Sequence, residues 1–457
     1  MRRTQIALFG TALVAIGVSA ASVVSHTAHG SSAIDATATR SSTDSSARSS
    51  SGAEATYDGA VDAARSRTKR AAVMADVTPG SWSRRADVAS AELGYARLTG
   101  DYEAYERAER SLDEAFRIAR ASIDDPASGP LLLRASLDYE LHRLDVALER
   151  LDAPARRAEA LGDQPLSAEV QSLRGAVTFA MGRYDEGLGM MRRSVELDPS
   201  APHKQRLALA LAKVGQHEEA DRILAETEPL SKTPLAQAWV SLERGKIALA
   251  HGRHFDGRKH LERAQLAFPG YWVTEELLAH VDTEEGNKDR AIETYRALVE
   301  RTGAPELMDH LAALIAEQAP EEAQALLDRS DRIYEDRLAR LPEVTYGHAL
   351  EHYLRWAPDA ERAVELAEKN VAQRPNGEAR TLLAQAYIRA GRIREAWDES
   401  QRVVGSKWVS ADAFATAAVA ARLADDPAAT ELEEAANGIN HHAMREIAWL
   451  VPRRASP

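Results

Sequence analysis

Five glycines, set in a chain that otherwise reads as helix, limit its fold more than any other feature. Gly182, Gly215, Gly252 and Gly286 follow one another at 33, 37 and 34 residues, and Gly391 opens the same pattern again. Five residues after each comes a small side chain: Gly187, Ala220, Gly257, Ala291 and Ala396. A period of this length accommodates two helices and is too short for an independent domain, so each unit must bury its apolar face on its neighbours. The turn glycine permits a sharp reversal between the two helices, and the second small residue lets them approach closely. Pro199, Pro269 and Pro375 recur where the second helix has to stop, because proline cannot continue a helix and restricts the residue before it.

Composition supports a helical array. Only 5% of the 457 residues are aromatic, and Ala, Leu, Arg and Glu, which lose little entropy in a helix, fill most of the chain. The absence of cysteine excludes disulfides, thiolate zinc sites, iron–sulfur clusters and thiol nucleophiles. With 57 Lys+Arg against 70 Asp+Glu the net charge is −13, which argues against nucleic acid as a partner.

The fullest units read Gly175, Gly182, Tyr184, Gly187, Pro199; then Gly245, Gly252, Gly257, Leu261, Ala264, Pro269; then Leu383-Ala384-x-x-Tyr387, Gly391, Ala396. These resemble tetratricopeptide repeats, strongly from Glu169 to Val299 and from Arg362 to Val403, and more loosely from Trp82 to Ala436. Where the turn glycine is lost, Ala323 and Ala363 keep the small position, with turns expected near Gln318 and Pro358. Upstream turns are expected at Gly100-Asp101-Tyr102 and His142-Arg143, and a last one at Asp425-Asp426-Pro427. The resemblance implies an all-α, right-handed α-solenoid of about ten helix-turn-helix repeats. The expected segments are an N-terminal capping helix over 57–80, degenerate pairs over 81–166, strong units over 167–303, degenerate units over 304–375, C-terminal units over 376–436, and a terminal helix and tail over 437–457.

Arg2 and Arg3 precede an uncharged stretch from Ile6 to Val24, and the next basic residue is Arg40. Residues 1–24 read as a signal peptide, cut after the small-residue pattern Val18-Ser19-Ala20, or as a retained membrane anchor, residues 6–24 being the only expected membrane attachment. Either places the remainder outside the cytoplasm. The Ser/Thr/Ala-rich stretch over 25–56 has no apolar periodicity and reads as a disordered linker.

The resemblance further implies a non-catalytic scaffold that takes a protein or peptide in a concave groove, with no cofactor and no metal. Counting back from the turns places Trp239, Lys246, Glu276, His280, Glu284, His348, His352, Arg355 and Trp356 on that groove. A second reading makes it a metal or small-ligand site built on His280, His348 and His352. Repeat proteins that clamp the carboxylate tail of chaperones need groove asparagines, and Asn287, Asn370, Asn376, Asn437 and Asn440 fall at no expected groove position. His348-Ala349-Leu350-Glu351-His352 matches the H-x-x-E-H pattern of inverted zincins, but it sits at repeat register with no catalytic scaffold around it. Asp282, Glu284 and Glu293 match only part of a calcium loop, with Asn287 where glycine is required. The pairs His251/His254 and His441/His442 read as ordinary surface.

Overall fold

A computed structural model describes residues 55–121 and 128–451, and their regular structure is entirely helical. The expected export segment and all but the end of the linker lie outside the described residues. Among those described, no helix is long and apolar enough to cross a membrane.

After a leading helix α1 (Tyr57–Val77), antiparallel pairs follow one another along the chain: α2 (Trp82–Thr99) with α3 (Tyr102–Ala121), and α4 (Ser128–Glu140) with the short α5 (Leu144–Arg150). The short α6 (Asp152–Leu161) leads into α7 (Gln164–Ala180) with α8 (Tyr184–Leu197), α9 (Ala201–Lys213) with α10 (His217–Thr227), and α11 (Pro234–Ala250) with α12 (His254–Ala267). Next come α13 (Trp272–Glu284) with α14 (Lys288–Thr302), α15 (Pro305–Ile315) with α16 (Pro320–Arg340), and α17 (Pro342–Glu351) with α18 (Ala360–Gln373). The last pairs are α19 (Gly377–Arg389) with α20 (Ile393–Val404) and α21 (Ala411–Leu423) with α22 (Ala429–Ile439), ahead of a single turn, α23 (Ala443–Glu446).

The turn glycines do what their spacing demands: Gly182, Gly215, Gly252, Gly286 and Gly391 all have φ between 66° and 87°, backbone that costs a residue with a Cβ about 1–2 kcal/mol. The turns without glycine at His142 and Asp425 adopt the same left-handed backbone, at 60° and 55°. The small-residue positions are equally literal. A Cβ on Gly175 would lie 2.8 Å from the Gly187 carbonyl oxygen, and one on Gly187 would lie 2.7 Å from the Gly175 carbonyl oxygen. The backbones of α7 and α8 therefore meet with no room for a methyl group. Pro199, Pro269 and Pro375 each stand two residues beyond the last residue of α8, α12 and α18.

The solenoid winds back on itself. The Tyr57 amide donates to the Pro269 carbonyl (3.0 Å), and Trp272 Nε1 donates to the Leu98 carbonyl (3.4 Å). Arg340 grips both carboxylate oxygens of Glu106 at 2.8 Å, the Gly377 amide donates to the Tyr184 hydroxyl (2.7 Å), and the Val409 amide donates to the Lys213 carbonyl (3.0 Å). The turn at Gly252 closes against Asn440 and His441. Side-chain bonds of this set join residues 174 to 234 apart, so one superhelical turn takes about five to six units.

This winding ties in both ends of the chain and corrects the expectation for the last of them. The helix α1 stands at the expected N-terminal position and also packs forward: Tyr57, Ala60 and Ala64 share a core with Phe268 and Tyr271, in the fifth and sixth units of the next superhelical turn. The expected C-terminal helix is broken into α23 and one 3-10 turn over Ala448–Leu450, because Ile447 and Leu450 are pulled into the core of the last units.

Candidate ligand-binding lumen

Because successive superhelical turns touch, the concave groove becomes a lumen, a cavity of about 1410 Å³ lined by residues from Ala86 to Ile447. The first helices of the pairs supply most of the wall, and Phe179, Leu249, Leu277, Leu382 and Trp408 give it apolar surface between the polar groups.

Of the nine residues expected on the groove, Lys246, Glu276, His280 and His348 line this cavity. The other five are outside its wall. Trp239, 4% exposed, fills the apolar core between the fourth and fifth units. Glu284 lies at the seam between superhelical turns, where Arg445 reaches it at 3.4 Å. Trp356 packs into the core around α15, edge-on to His310 at 5.4 Å between ring centroids. Arg355 is sandwiched between Trp356 and Trp449, its guanidinium 4.8 and 4.9 Å from the two ring centroids. His352 is fully buried: its Nδ1 lies 2.9 Å from Asp309 Oδ1, and Ser330 donates to the same carboxylate oxygen at 2.6 Å.

The metal reading therefore loses its geometry. His348 and His352 share a helix, but each meets a different carboxylate of α15, Glu306 at 3.3 Å and Asp309 at 2.9 Å. Beyond Glu351, α17 relaxes into one wide π turn over His352–Trp356, which changes the register of the residues that follow. Among the described residues no group of three His, Asp or Glu side chains is arranged to hold a metal ion.

The lumen also contains residues that the spacing did not place there. Besides His280 and His348, six further histidines line it: His142, His203, His217, His251, His254 and His310. His251 and His254, read from the sequence as surface, stand at the turn where the fourth and fifth units meet the C-terminal segment. His217 packs on His251 at 3.6 Å between ring centroids, and His254 faces His442 at 5.3 Å. Only the winding brings residues 250 and 440 together, so repeat periodicity carried no signal for it. Asn376 and Asn440 line the lumen too, contrary to expectation. Their side chains are engaged locally, Asn376 Oδ1 accepting from the Ala379 amide (3.0 Å) and Asn440 Nδ2 donating to Glu446 (2.8 Å).

Burial shifts several of these groups toward their uncharged forms. Desolvation lowers the His310 imidazole to about 3 and those of His280 and His217 to about 4, with neighbouring imidazole and Arg charges adding to the effect. Desolvation likewise raises Glu276 and Glu446 to about 7 and Asp412 to about 6. At Glu306 burial works in the same direction but is overcome by Arg337 and His348, which hold it down at about 2.

One trio superficially resembles a hydrolytic relay. Ser200 Oγ lies 3.5 Å from His203 Nδ1, and His203 Nε2 lies 3.1 Å from Glu169. His203 Nδ1, however, donates to the Asp198 carbonyl (3.0 Å), and the Ser200 hydroxyl donates to the Asp198 carboxylate (3.0 Å). The imidazole nitrogen facing Ser200 thus carries a proton already and cannot accept another, so the trio is a helix-start brace rather than a nucleophile and base.

No family model matches the chain, and no curated protein does. Solved structures do. A human IFIT1 dimer with PPP-AAAA is 15% identical, over 76% of this chain and 90% of that one, at a TM-score of 0.40. Yeast Tom70 is 15% identical, over 82% and 90%, at 0.43. A thermophilic TPR protein of Thermus thermophilus is 16% identical, over 44% and 98%, at 0.36. With paired antiparallel helices, left-handed residues at most of the turns and small-residue contacts inside the pairs, the described residues form an all-α solenoid of helix-turn-helix units.

Proposed function

We propose that this protein is a binding scaffold that holds an extended segment of a protein partner inside its lumen, without making or breaking bonds. The observation that carries this reading is the lumen itself. At about 1410 Å³ it exceeds the ~300–1,000 Å³ usual for small-ligand sites. Apolar and hydrogen-bonding side chains both line its wall, so that a peptide's apolar side chains and backbone can both find partners. Among the described lining residues ten are Asp or Glu and six are Lys or Arg, which disfavours a phosphate backbone. The location that accompanies this reading is extracytoplasmic, and it rests on Arg2, Arg3 and the uncharged stretch that follows them.

The test is retention of peptide. The full chain is mixed with an equimolar pool of blocked decapeptides and separated by rapid gel filtration, and the peptide carried with the protein is measured. The wild type retains peptide, whereas Ala250→Trp, which narrows the lumen from an exposed lining position, retains less of it. Equal retention by both, or none by the wild type, would rule out the lumen as the binding surface.

A further inference from the structure

The lumen is chemically uneven, and its unevenness lies where the last units close it. Four carboxyl groups from four separate elements gather there: Glu351 at the end of α17, Glu378 in the first turn of α19, Asp412 in the first turn of α21, and Glu446 in α23. Glu378, Asp412 and Glu446 line the cavity. One guanidinium, Arg355, acts on Glu351, Asp412 and Glu446, but it is held between Trp356 and Trp449 and forms no ion pair with any of them.

Arg445, which pairs with Glu284 at 3.4 Å, also acts on Glu446, and the hydrogen-bond partners of the cluster are neutral. Gln385 Nε2 donates to both oxygens of Asp412 (3.0 and 3.1 Å), and Asn440 donates to Glu446 (2.8 Å). Glu351 is only 6% exposed, yet its Oε1 is buried without a hydrogen-bond partner. A buried, unmet carboxyl oxygen is costly, and four carboxyls that share Arg355 and part of Arg445 are costlier still unless a further positive group arrives.

We propose that this end of the lumen receives the cationic side chain of a Lys or Arg in the bound peptide, which Glu351, Glu378, Asp412 and Glu446 surround. This rests on the peptide-binding reading above and specifies which peptides are taken. The surrounding charges agree with it. Glu306 of α15 adds negative field at Glu351, and Arg445 is shared between Glu446 and Glu284. His280 of α13 and His310 of α15, which face Arg355, are held uncharged by burial and by that guanidinium, so they do not repel an incoming cation. Burial lets these carboxyls keep protons, Glu351 to about 8, Glu446 to about 7 and Asp412 to about 6. A cation entering favours the ionised forms, so binding releases protons and strengthens as pH rises toward 8.

The experiment uses the full chain and a pool of N-acetylated, C-amidated decapeptides, with amino-acid analysis of the retained fraction at pH 5.5 and pH 8. The expected result is about a threefold or greater enrichment of Lys and Arg over the input pool at pH 8, a smaller one at pH 5.5, and depletion of Asp and Glu. In Glu351→Gln/Asp412→Asn the preference falls to near the input ratio, and in Glu378→Gln, at a half-buried position, it falls in part. Thermal unfolding followed by circular dichroism verifies that each variant is folded. Peptides retained without a Lys/Arg preference, or a double variant that keeps the preference, would overturn the cation site while leaving the lumen reading intact. If no peptide is retained at all, both fall together.

Discussion

The backbone amide of Gly377 donates a 2.7 Å hydrogen bond to the phenol oxygen of Tyr184 across 193 residues of sequence. Tyr184 opens the second helix of the third pair and Gly377 opens the first helix of the ninth, so this bond is made only when the superhelix has completed a turn. Tyr184→Phe leaves that amide buried without an acceptor and is expected to destabilise the protein by about 1–2 kcal/mol, read from thermal or urea unfolding. An unchanged midpoint would mean that the two superhelical turns are not in contact there.

Two turn glycines separate local from long-range constraint. Gly182 and Gly391 both have left-handed backbone, at 79° and 73°. A Cβ on Gly391 meets nothing within 4 Å, whereas one on Gly182 would lie 2.8 Å from the Pro375 carbonyl oxygen. Gly391→Ala should therefore cost about 1–2 kcal/mol for its backbone alone. Gly182→Ala should cost about 1–3 kcal/mol more, for the overpacked seam. Equal losses in chemical denaturation would contradict the close approach.

Residues before Glu169 are integral to the fold. The α1 and α2 helices cover Phe268, Tyr271 and Trp272, and Glu106 anchors Arg340. A chain starting at Glu169 is expected to unfold at lower temperature, over a broader transition, and to bind a hydrophobic dye that the full chain does not. A truncated chain with unchanged midpoint and sharpness would show that the first superhelical turn is dispensable.

The turns and helix pairs were legible in the sequence because they are local. Gly182, Gly215 and Gly252 mark a backbone requirement that a few residues state in full, and Gly175 with Gly187 states a contact only twelve residues long. The lumen was less legible because it depends on the rotation between units accumulated over five or six of them. Counting from the turns placed Lys246, Glu276, His280 and His348 where they line the cavity. The same counting put Trp239 and Trp356 on the groove, although Trp239 is buried between units and Trp356 packs, half-buried, against the core around α15. It also missed His254, which meets His442 of the C-terminal segment only after a full turn.

His352 provides a test of the corrected site. Removing a fully buried imidazole that is bonded to Asp309 leaves a buried carboxylate and Ser330 short of a partner, so His352→Ala should destabilise by about 3 kcal/mol. Peptide retention per folded molecule should not change, as the residue is outside the cavity wall. Loss of retention with unchanged stability would return His352 to the binding surface.

Stability should peak between two opposed titrations. His310, His280 and His217 have lowered native values of about 3 to 4, so between there and ~6.5 the unfolded chain binds more protons and stability rises with pH. Glu276 and Glu446 have raised native values of about 7, so from ~4.3 to 7 the native chain holds more protons and their contribution is lost as pH rises. Glu276→Gln should flatten the loss on the neutral side, and His310→Gln the loss on the acid side, in urea midpoints measured from pH 3.5 to 8. If neither substitution changes the slope, those groups are not held as buried neutral species.

Photocrosslinking tests the central claim, that the partner segment lies inside the superhelix, most directly. A retained decapeptide carrying a benzophenone is irradiated with the full chain, and the adducts are located by mass spectrometry. Adducts are predicted on the lumen wall, at residues such as Tyr105, Phe179, Leu249, Leu277 and Trp408. Adducts confined to outward side chains such as Phe255 and Leu266, 81% and 82% exposed, would contradict it.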